Sequence, residues 1–435
     1  MTPEEALRRH WGYDTFRPLQ REAVEAALAG RDTLVVLPTG GGKSLCYQIP
    51  AAVGAGLVLV VSPLIALMDD QVAAAREAGV AADALHSNLE DEDREGAWRR
   101  LMRGETRLLY VSPERLLTGD LIGRFADRLR LVAIDEAHCV SHWGHEFRPE
   151  YRRLAEAFDL VPHAARMALT ATATAQVRDD IAAQIPLRDP VLCVGHPDRP
   201  NLRYRALPRH DQAAQVLDVV RRHPRAGGIV YAQTRKETER LAQTLRKAGV
   251  QADAYHAGMD PEDRRRVQEG FVHERLDVVC ATVAFGMGID RSDVRFVVHA
   301  NAPRSVEHYQ QESGRAGRDG LEAECVLLFS SADLVRHRRL AELDGPLSPE
   351  RQRTLDRHLR GIGRYAVAPV CRHRMLSEHF GAPYPPGGAS DAVGSGCGAC
   401  DVCLGETREM PAADALETAR KVLSAAWRAQ GRYGA

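Results

Sequence analysis

The chain has 435 residues, 44% of them hydrophobic and 27% charged, a composition that excludes a disordered or collagen-like polymer. At roughly 100–200 residues per domain it has room for two to four domains. Net charge is −1, so a polyanionic partner has to be read from local clusters rather than from the whole molecule.

Only four of the 58 basic residues are lysine: Lys43, Lys236, Lys247 and Lys421. Arginine and lysine differ in shape and hydration, so a sequence that uses arginine almost everywhere draws attention to where a compact ammonium is retained. Lys43 stands alone in the first 235 residues.

Short β-branched runs, each followed by a helical segment, are predicted at 33–37, 57–61, 108–111, 131–134 and 167–170, and a second series at 228–232, 278–281, 295–299 and 325–329. Strands alternating with helices imply parallel sheets wrapped by helices. Residues 189–208 carry four prolines and no periodicity, which predicts a linker. The stretch 44–68 has no charge, but Pro50, Gly54, Gly56 and Pro63 break it, so it reads as core rather than a membrane span. The polar start and the absence of a signal pattern lead us to expect a cytoplasmic protein with no membrane partner.

The first predicted strand runs into Pro38-Thr39-Gly40-Gly41-Gly42-Lys43-Ser44. Such a loop lets backbone N–H groups close around phosphate oxygens, with Lys43 reaching the β/γ-phosphates and Ser44 ligating Mg²⁺. Leu37 occupies the place of the first glycine of the strict pattern, so a simple flexible turn is the competing reading. After the strand at 131–134 come Asp135 and Glu136, which could hold Mg²⁺ and orient the attacking water; helix capping is the alternative for such an acidic pair. In the second series, Arg315 and Arg318 are three apart and share one helix face, where they could reach a γ-phosphate.

Five cysteines are scattered and four cluster: Cys371, Cys397, Cys400 and Cys403. Four thiolates suit a tetrahedral structural Zn²⁺. An iron–sulfur cluster competes, although Thr407 stands where the ferredoxin run would place its fourth cysteine. Residues 331–374 hold ten arginines against five acids, a local basic excess suited to a nucleic-acid backbone.

The motifs FRPLQ (16–20), LPTGGGKSLCYQIP (37–50), VSPLIALMDDQ (61–71), DEAHCVSHWGHEFRPEY (135–151), ALTATA (168–173), DRPN (198–201), ATVAFGMGID (281–290) and QESGRAGRDG (311–320) together resemble the RecQ family of superfamily 2 DNA helicases, along nearly the whole chain. The resemblance implies two RecA-like α/β domains, 1–198 and 199–340, a helical zinc module at 341–407, and at 408–435 the start of a winged-helix domain, cut short. It implies an ATP-dependent 3′–5′ helicase acting on single-stranded and partly duplex DNA in repair and recombination, or a DNA-stimulated translocase if the winged helix is lacking.

By the same resemblance Tyr13, Arg17 and Gln20 recognise adenine, Thr39 to Ser44 cradle the phosphates, and Thr170 and Thr172 link the ATP site to the cleft. Asp290, Arg315 and Arg318 complete the site from the second domain, with Arg318 as the arginine finger. Trp143, Phe147 and Arg148 form an aromatic-rich loop that meets DNA. Arg291 and Asn301 depart from the family pattern, where Lys and Asp are expected.

Overall fold

A computed structural model describes residues 1–54, 56–63, 65–118, 121–141, 143–144, 147–282, 285, 291–343, 345, 347–384, 396–407 and 412–429. Seven strands, β1 (Thr33–Val36), β2 (Leu57–Val61), β3 (Ala82–Leu85), β4 (Leu108–Val111), β5 (Leu129–Ile134), β6 (Ala165–Thr170) and β7 (Val191–Val194), form one sheet in the order β3-β4-β2-β5-β6-β1-β7. Six more, β8 (Leu202–Pro208), β9 (Gly227–Tyr231), β10 (Ala252–Tyr255), β11 (Val278–Ala281), β12 (Val294–His299) and β13 (Ala323–Phe329), form a second in the order β10-β11-β9-β12-β13-β8. Every strand pair in both sheets is parallel.

Parallel sheets need cover on both faces, and the apolar side chains of the strands supply it by alternation. Along β2, Leu57, Leu59 and Val61 enter one core while Val58 and Val60 enter the other. The second sheet divides likewise, with Ile229 and Tyr231 on one side and Val230 on the other. The nine predicted strands fall within about two residues of observed ones, a usual margin for element ends.

Four strands were not predicted, each for an identifiable reason. β3 and β10 carry an acid, Asp83 or Asp253, inside a short sheet-edge run. Asp83 is buried but satisfied by Arg76 at 2.7 Å, Arg100 at 2.6 Å and Thr106 at 2.6 Å, so tertiary partners remove the penalty that the sequence pattern suggests. The other two, β7 and β8, lie inside the predicted linker 189–208 and shorten it to residues 195–201. Each is an edge strand, and Pro190 and Pro208 sit beside or at the end of it, where a missing N–H is tolerated.

Beyond β13 the structure is helical: Ser331–Glu342, Pro349–Val367 and Arg372–His379, followed by the turn that carries the last three cysteines. This region is stapled to β8. Tyr204 N–H donates to the Ala399 carbonyl at 3.1 Å, Asp401 N–H donates to the Tyr204 carbonyl at 3.0 Å, and the Asp401 carboxylate accepts from Ala206 N–H at 2.9 Å. The last helix, Ala412–Ala429, exposes Leu416, Val422, Leu423 and Trp427. Among the described residues no helix is long and apolar enough to cross a membrane.

Candidate active site in the interdomain cleft

The first sheet's order sets the geometry. β6 lies between β1 and β5, so the loop leaving β1 and the acids leaving β5 emerge at one carboxyl edge, with Thr170 of β6 between them. Ligands of open α/β sheets bind at this edge.

The glycine loop is held from the N-terminal segment. Gln20, 1% exposed, donates through Nε2 to the carbonyls of Gly41 at 3.1 Å and Gly42 at 2.9 Å, and its Oε1 accepts from Arg17 N–H at 2.8 Å. The Arg17 guanidinium donates to the Gly40 carbonyl. Tyr13 is exposed. Gly40 and Gly42 take positive φ, +80° and +73°, and a Cβ at Gly42 would lie 2.3 Å from Gln20 Nε2, so glycine is required there for two reasons. Ser44 and Thr39 flank the loop, and the helix Leu45–Val53 follows it.

Lys43 Nζ donates to the Leu37 carbonyl at 3.3 Å. Dehydration pushes its ammonium below the ordinary lysine value, against the pull of Glu136 and Asp135. Burial, reinforced by the Glu136 carboxylate, raises Asp135 to about 7, although Lys43 opposes this. Burial would raise Glu136 as well, but a hydrogen bond from His138 and the charges of His138, Lys43 and Arg315 outweigh it and hold Glu136 below the usual range. Glu136 sits at φ +49°, a left-handed conformation that costs a non-glycine residue about 1–3 kcal/mol and concentrates at functional sites. The acidic pair therefore does not cap a helix through its side chains; the short turn 137–140 begins without a side-chain cap.

His138 wires this corner to the neighbouring strand. Its Nδ1 lies 3.3 Å from Glu136 Oε2 and 3.0 Å from Thr170 Oγ1, and Thr170 Oγ1 donates to the Thr172 carbonyl at 3.2 Å.

The second domain closes on the loop. A Cβ at Gly40 would lie 3.3 Å from Arg318 Cγ, and one at Gly314 would lie 3.1 Å from Thr39 Cβ. The positive charge of Arg318 reaches Lys43, and that of Arg315 reaches Glu136. Asp290 lies outside the described residues.

The aromatic-rich loop is tied directly to the acidic corner. Arg148 N–H donates to the Cys139 carbonyl at 2.9 Å, its guanidinium donates to the Pro63 carbonyl at 3.2 Å, and Tyr151 Oη donates to the Asp135 carbonyl at 3.0 Å. Phe147 lies under the Arg152 guanidinium. Trp143, half-buried against the first core, has the guanidinium of Arg357 over its ring at 5.0 Å. Arg357 belongs to the helix Pro349–Val367, so this contact joins the zinc region to the first domain.

The sulfurs of Cys371, Cys397, Cys400 and Cys403 all lie within 4.8 Å of one another, a spacing that four thiolates at about 2.3 Å from one Zn²⁺ would satisfy. Ala399 N–H points at Cys397 Sγ at 3.4 Å and Cys403 N–H at Cys400 Sγ at 3.5 Å, donors that stabilise thiolate charge.

Three family models match: DEAD/DEAH box helicase over residues 17–181, helicase conserved C-terminal domain over 211–320 and RecQ zinc-binding over 331–404. The ATP-dependent DNA helicase RecQ of Haemophilus influenzae is 42% identical over 431 residues, covering 99% of this chain and 67% of its own length. That of Bacillus subtilis is 40% identical, covering 98% and 71%. The chain belongs to the RecQ helicase family. It spans 66% of the RecQ of Pasteurella multocida, to which it is 42% identical. The structure of Mycobacterium smegmatis helicase Lhr bound to single-stranded DNA and AMP-PNP shares the fold, with a TM-score of 0.61 at 23% identity, covering 87% of this chain and 56% of that one.

Within this RecQ-family chain, the two departures from the family pattern both make their contacts inside the second domain. Arg291 makes a bidentate pair with Asp293 at 2.7 and 3.1 Å, donates to the Phe271 and Leu276 carbonyls, and stacks on Phe271. Asn301 accepts from Gln233 N–H at 3.2 Å and donates to Asp333 at 3.4 Å. Both brace the second domain internally. Sequence reasoning gave no role to His138, Arg199 or Asn201, although all three sit inside quoted motifs; Thr170, which His138 meets, and the carbonyls that Arg199 and Asn201 bond are far away in sequence, which motif spacing does not show.

Proposed function

We propose that this chain is an ATP-dependent 3′–5′ DNA helicase that couples hydrolysis to movement along single-stranded DNA, unwinding duplexes in repair and recombination. The observation that carries the reading is the packing of Arg318, from the second domain, on Gly40 of the glycine loop, at the same edge as Lys43, Asp135 and Glu136. Hydrolysis at such a site is mostly positioning and charge stabilisation.

In this reading Gly40, Gly41, Gly42 and Thr39 present backbone to the phosphates, and Lys43 neutralises the β/γ-oxygens. Tyr13 and Arg17 flank the adenine, and the Gln20 amide turns from the loop carbonyls to the base edge. Ser44 and Asp135 form an oxygen donor set that fits Mg²⁺, which when bound would screen phosphate charge. Glu136 orients the water, with Arg318 placed at the γ-phosphate and Arg315 beside it; Asp290 belongs to the same proposal.

Single-stranded DNA would meet Trp143, Phe147 and Arg148; the Arg148 backbone bond to Cys139 and the Tyr151–Asp135 contact give a short route from strand to acids. Arg353, Arg357, Arg360 and Arg364, exposed on one face of the helix Pro349–Val367, extend a phosphate-compatible surface from Trp143. Five single cysteines buried as free thiols suit a reducing, cytoplasmic compartment. Each base-pair step opened costs on average about 1.4 kcal/mol of stacking, so turnover has to be coupled to strand motion.

The test is displacement of a duplex bearing a 3′ overhang, alongside ATPase stimulation by single-stranded DNA and by RNA. Displacement with DNA-preferred stimulation, both abolished in Lys43→Ala, is expected. Stimulation by RNA alone, or activity surviving in Lys43→Ala, would refute the proposal.

A further inference from the structure

The short connection between the sheets, residues 195–201, takes no part in the cycle proposed above, yet its polar side chains converge on the turn that carries the two arginines. Arg199 Nη1 donates to the Gly314 carbonyl at 2.6 Å, and its Nη2 donates to the Gly317 carbonyl. Asn201 Nδ2 donates to the Gly317 carbonyl at 3.0 Å and to the Leu321 carbonyl at 2.9 Å. The bonds thus bracket Arg315 on both sides and reach the residue before Arg318.

Two further contacts fix the connection itself. Gln310 Nε2 donates to the Pro197 carbonyl at 2.9 Å, and the Asp198 carboxylate lies 2.5 Å from Nδ1 of buried His373. The turn is also shaped for the clamp: Gly317 has φ +55°, and a Cβ there would stand 2.6 Å from Asn201 Nδ2. Among the described residues no carboxylate lies within ion-pair distance of Arg199; its hydrogen bonds go to two carbonyls, and Asp319 attracts it only from farther away. A half-buried guanidinium with no directly paired carboxylate is a costly way merely to fill space.

We propose that Arg199 and Asn201 are positioning residues for ATP hydrolysis, holding the turn 314–321 so that Arg318 rests against the glycine loop. Because β7 ends at Val194 and β8 starts at Leu202, the segment that would hinge the domains is also the one bonded to this turn. A change in interdomain angle therefore moves the guanidinium directly. The proposal rests on the reading of Arg318 as the finger.

The test uses the full chain and four variants: Arg199→Ala, Arg199→Lys, Asn201→Ala and Arg318→Ala, with the Arg199→Ala/Arg318→Ala double. ATPase is measured at saturating single-stranded DNA, and nucleotide affinity with a fluorescent ATP analogue. Displacement of reacting groups by about 1 Å can cost on the order of 10²-fold. Arg199→Ala and Asn201→Ala are therefore expected to lower kcat by roughly ten- to a hundredfold, with analogue Kd within about threefold of wild type. Arg199→Lys, which can keep one of two bonds, should fall between.

Residues acting as one unit are not additive, so the double variant should be no slower than Arg318→Ala. Wild-type kcat in both Arg199→Ala and Asn201→Ala, or multiplicative losses in the double, would overturn the proposal. Should Arg199→Ala fail to fold, Asn201→Ala, which removes no charge, decides alone. Wild-type kcat in Arg318→Ala would remove the finger reading itself, and the clamp's purpose with it.

Discussion

Replacing Asp401 by Asn tests how the cysteine cluster is held without touching a cysteine. The carboxylate is fully buried and accepts four hydrogen bonds: from Arg372 Nε at 2.9 Å and Nη2 at 3.1 Å, from Val402 N–H at 2.9 Å and from Ala206 N–H at 2.9 Å. An amide has the same shape but only one accepting end. Whichever way it turns, its NH₂ faces two donors, and Arg372, itself 2% exposed, loses its counter-charge. Breaking a buried pair from one side costs about 3–5 kcal/mol.

That loss is local, because Arg372 follows Cys371, Asp401 follows Cys400, and the Ala206 bond is part of the staple to β8. At about 1.4 kcal/mol per factor of ten, 3 kcal/mol corresponds to roughly a hundredfold weaker metal retention. Competition with a chromophoric zinc chelator measures it: the chelator concentration that removes half the metal should fall by about two orders of magnitude. A midpoint within threefold of wild type would refute the reasoning.

Three other outcomes are expected. Glu324, buried between Arg205, Arg222 and His223, is pushed up by burial, but hydrogen bonds from those three outweigh this and bring it from 4.5 to about 2. A depressed acid stabilises fully above its unfolded value and loses that stabilisation as pH falls toward the folded one. The stability gap between wild type and Glu324→Gln, at most about 3 kcal/mol at pH 7, should therefore shrink by more than half by pH 3 in chemical denaturation; a constant gap would contradict it. Trp143→Ala should weaken binding of a single-stranded oligonucleotide by roughly five- to a hundredfold in fluorescence anisotropy, from about 1–3 kcal/mol of lost stacking, and unchanged affinity would exclude Trp143 from the strand path. Gly228→Ala should destabilise the second domain by at least about 1–3 kcal/mol, since its Cβ would stand 2.0 Å from the Phe296 ring; the thermal midpoint reads this, and Phe296→Leu should restore part of the loss.

Much of the architecture is legible from local pattern. β1, β2, β4 and the ends of β5 (131–134) and β6 (167–170) are almost wholly apolar runs, and a parallel strand buried on both faces needs no long-range information to be recognised. The glycine loop, the acidic pair, the arginine pair and the four cysteines are legible for a related reason: each is a short segment whose chemistry is fixed by residue type and spacing. What spacing conceals is pairing across distance. β3 and β10 look wrong as strands until Arg76, Arg100, Arg246 and Arg266 are seen to neutralise their acids.

The sequence by itself therefore determined the two parallel α/β units, the glycine loop, the four-cysteine cluster and the family, because those depend on local periodicity and on motifs read within one segment. Only the tertiary structure decided that Gln20 holds the glycine loop, that Arg318 meets Gly40, that Arg357 covers Trp143, and that Arg199 and Asn201 grip the arginine turn. These contacts join residues up to several hundred positions apart. Their existence depends on how two sheets and a zinc knuckle pack, which no single segment encodes.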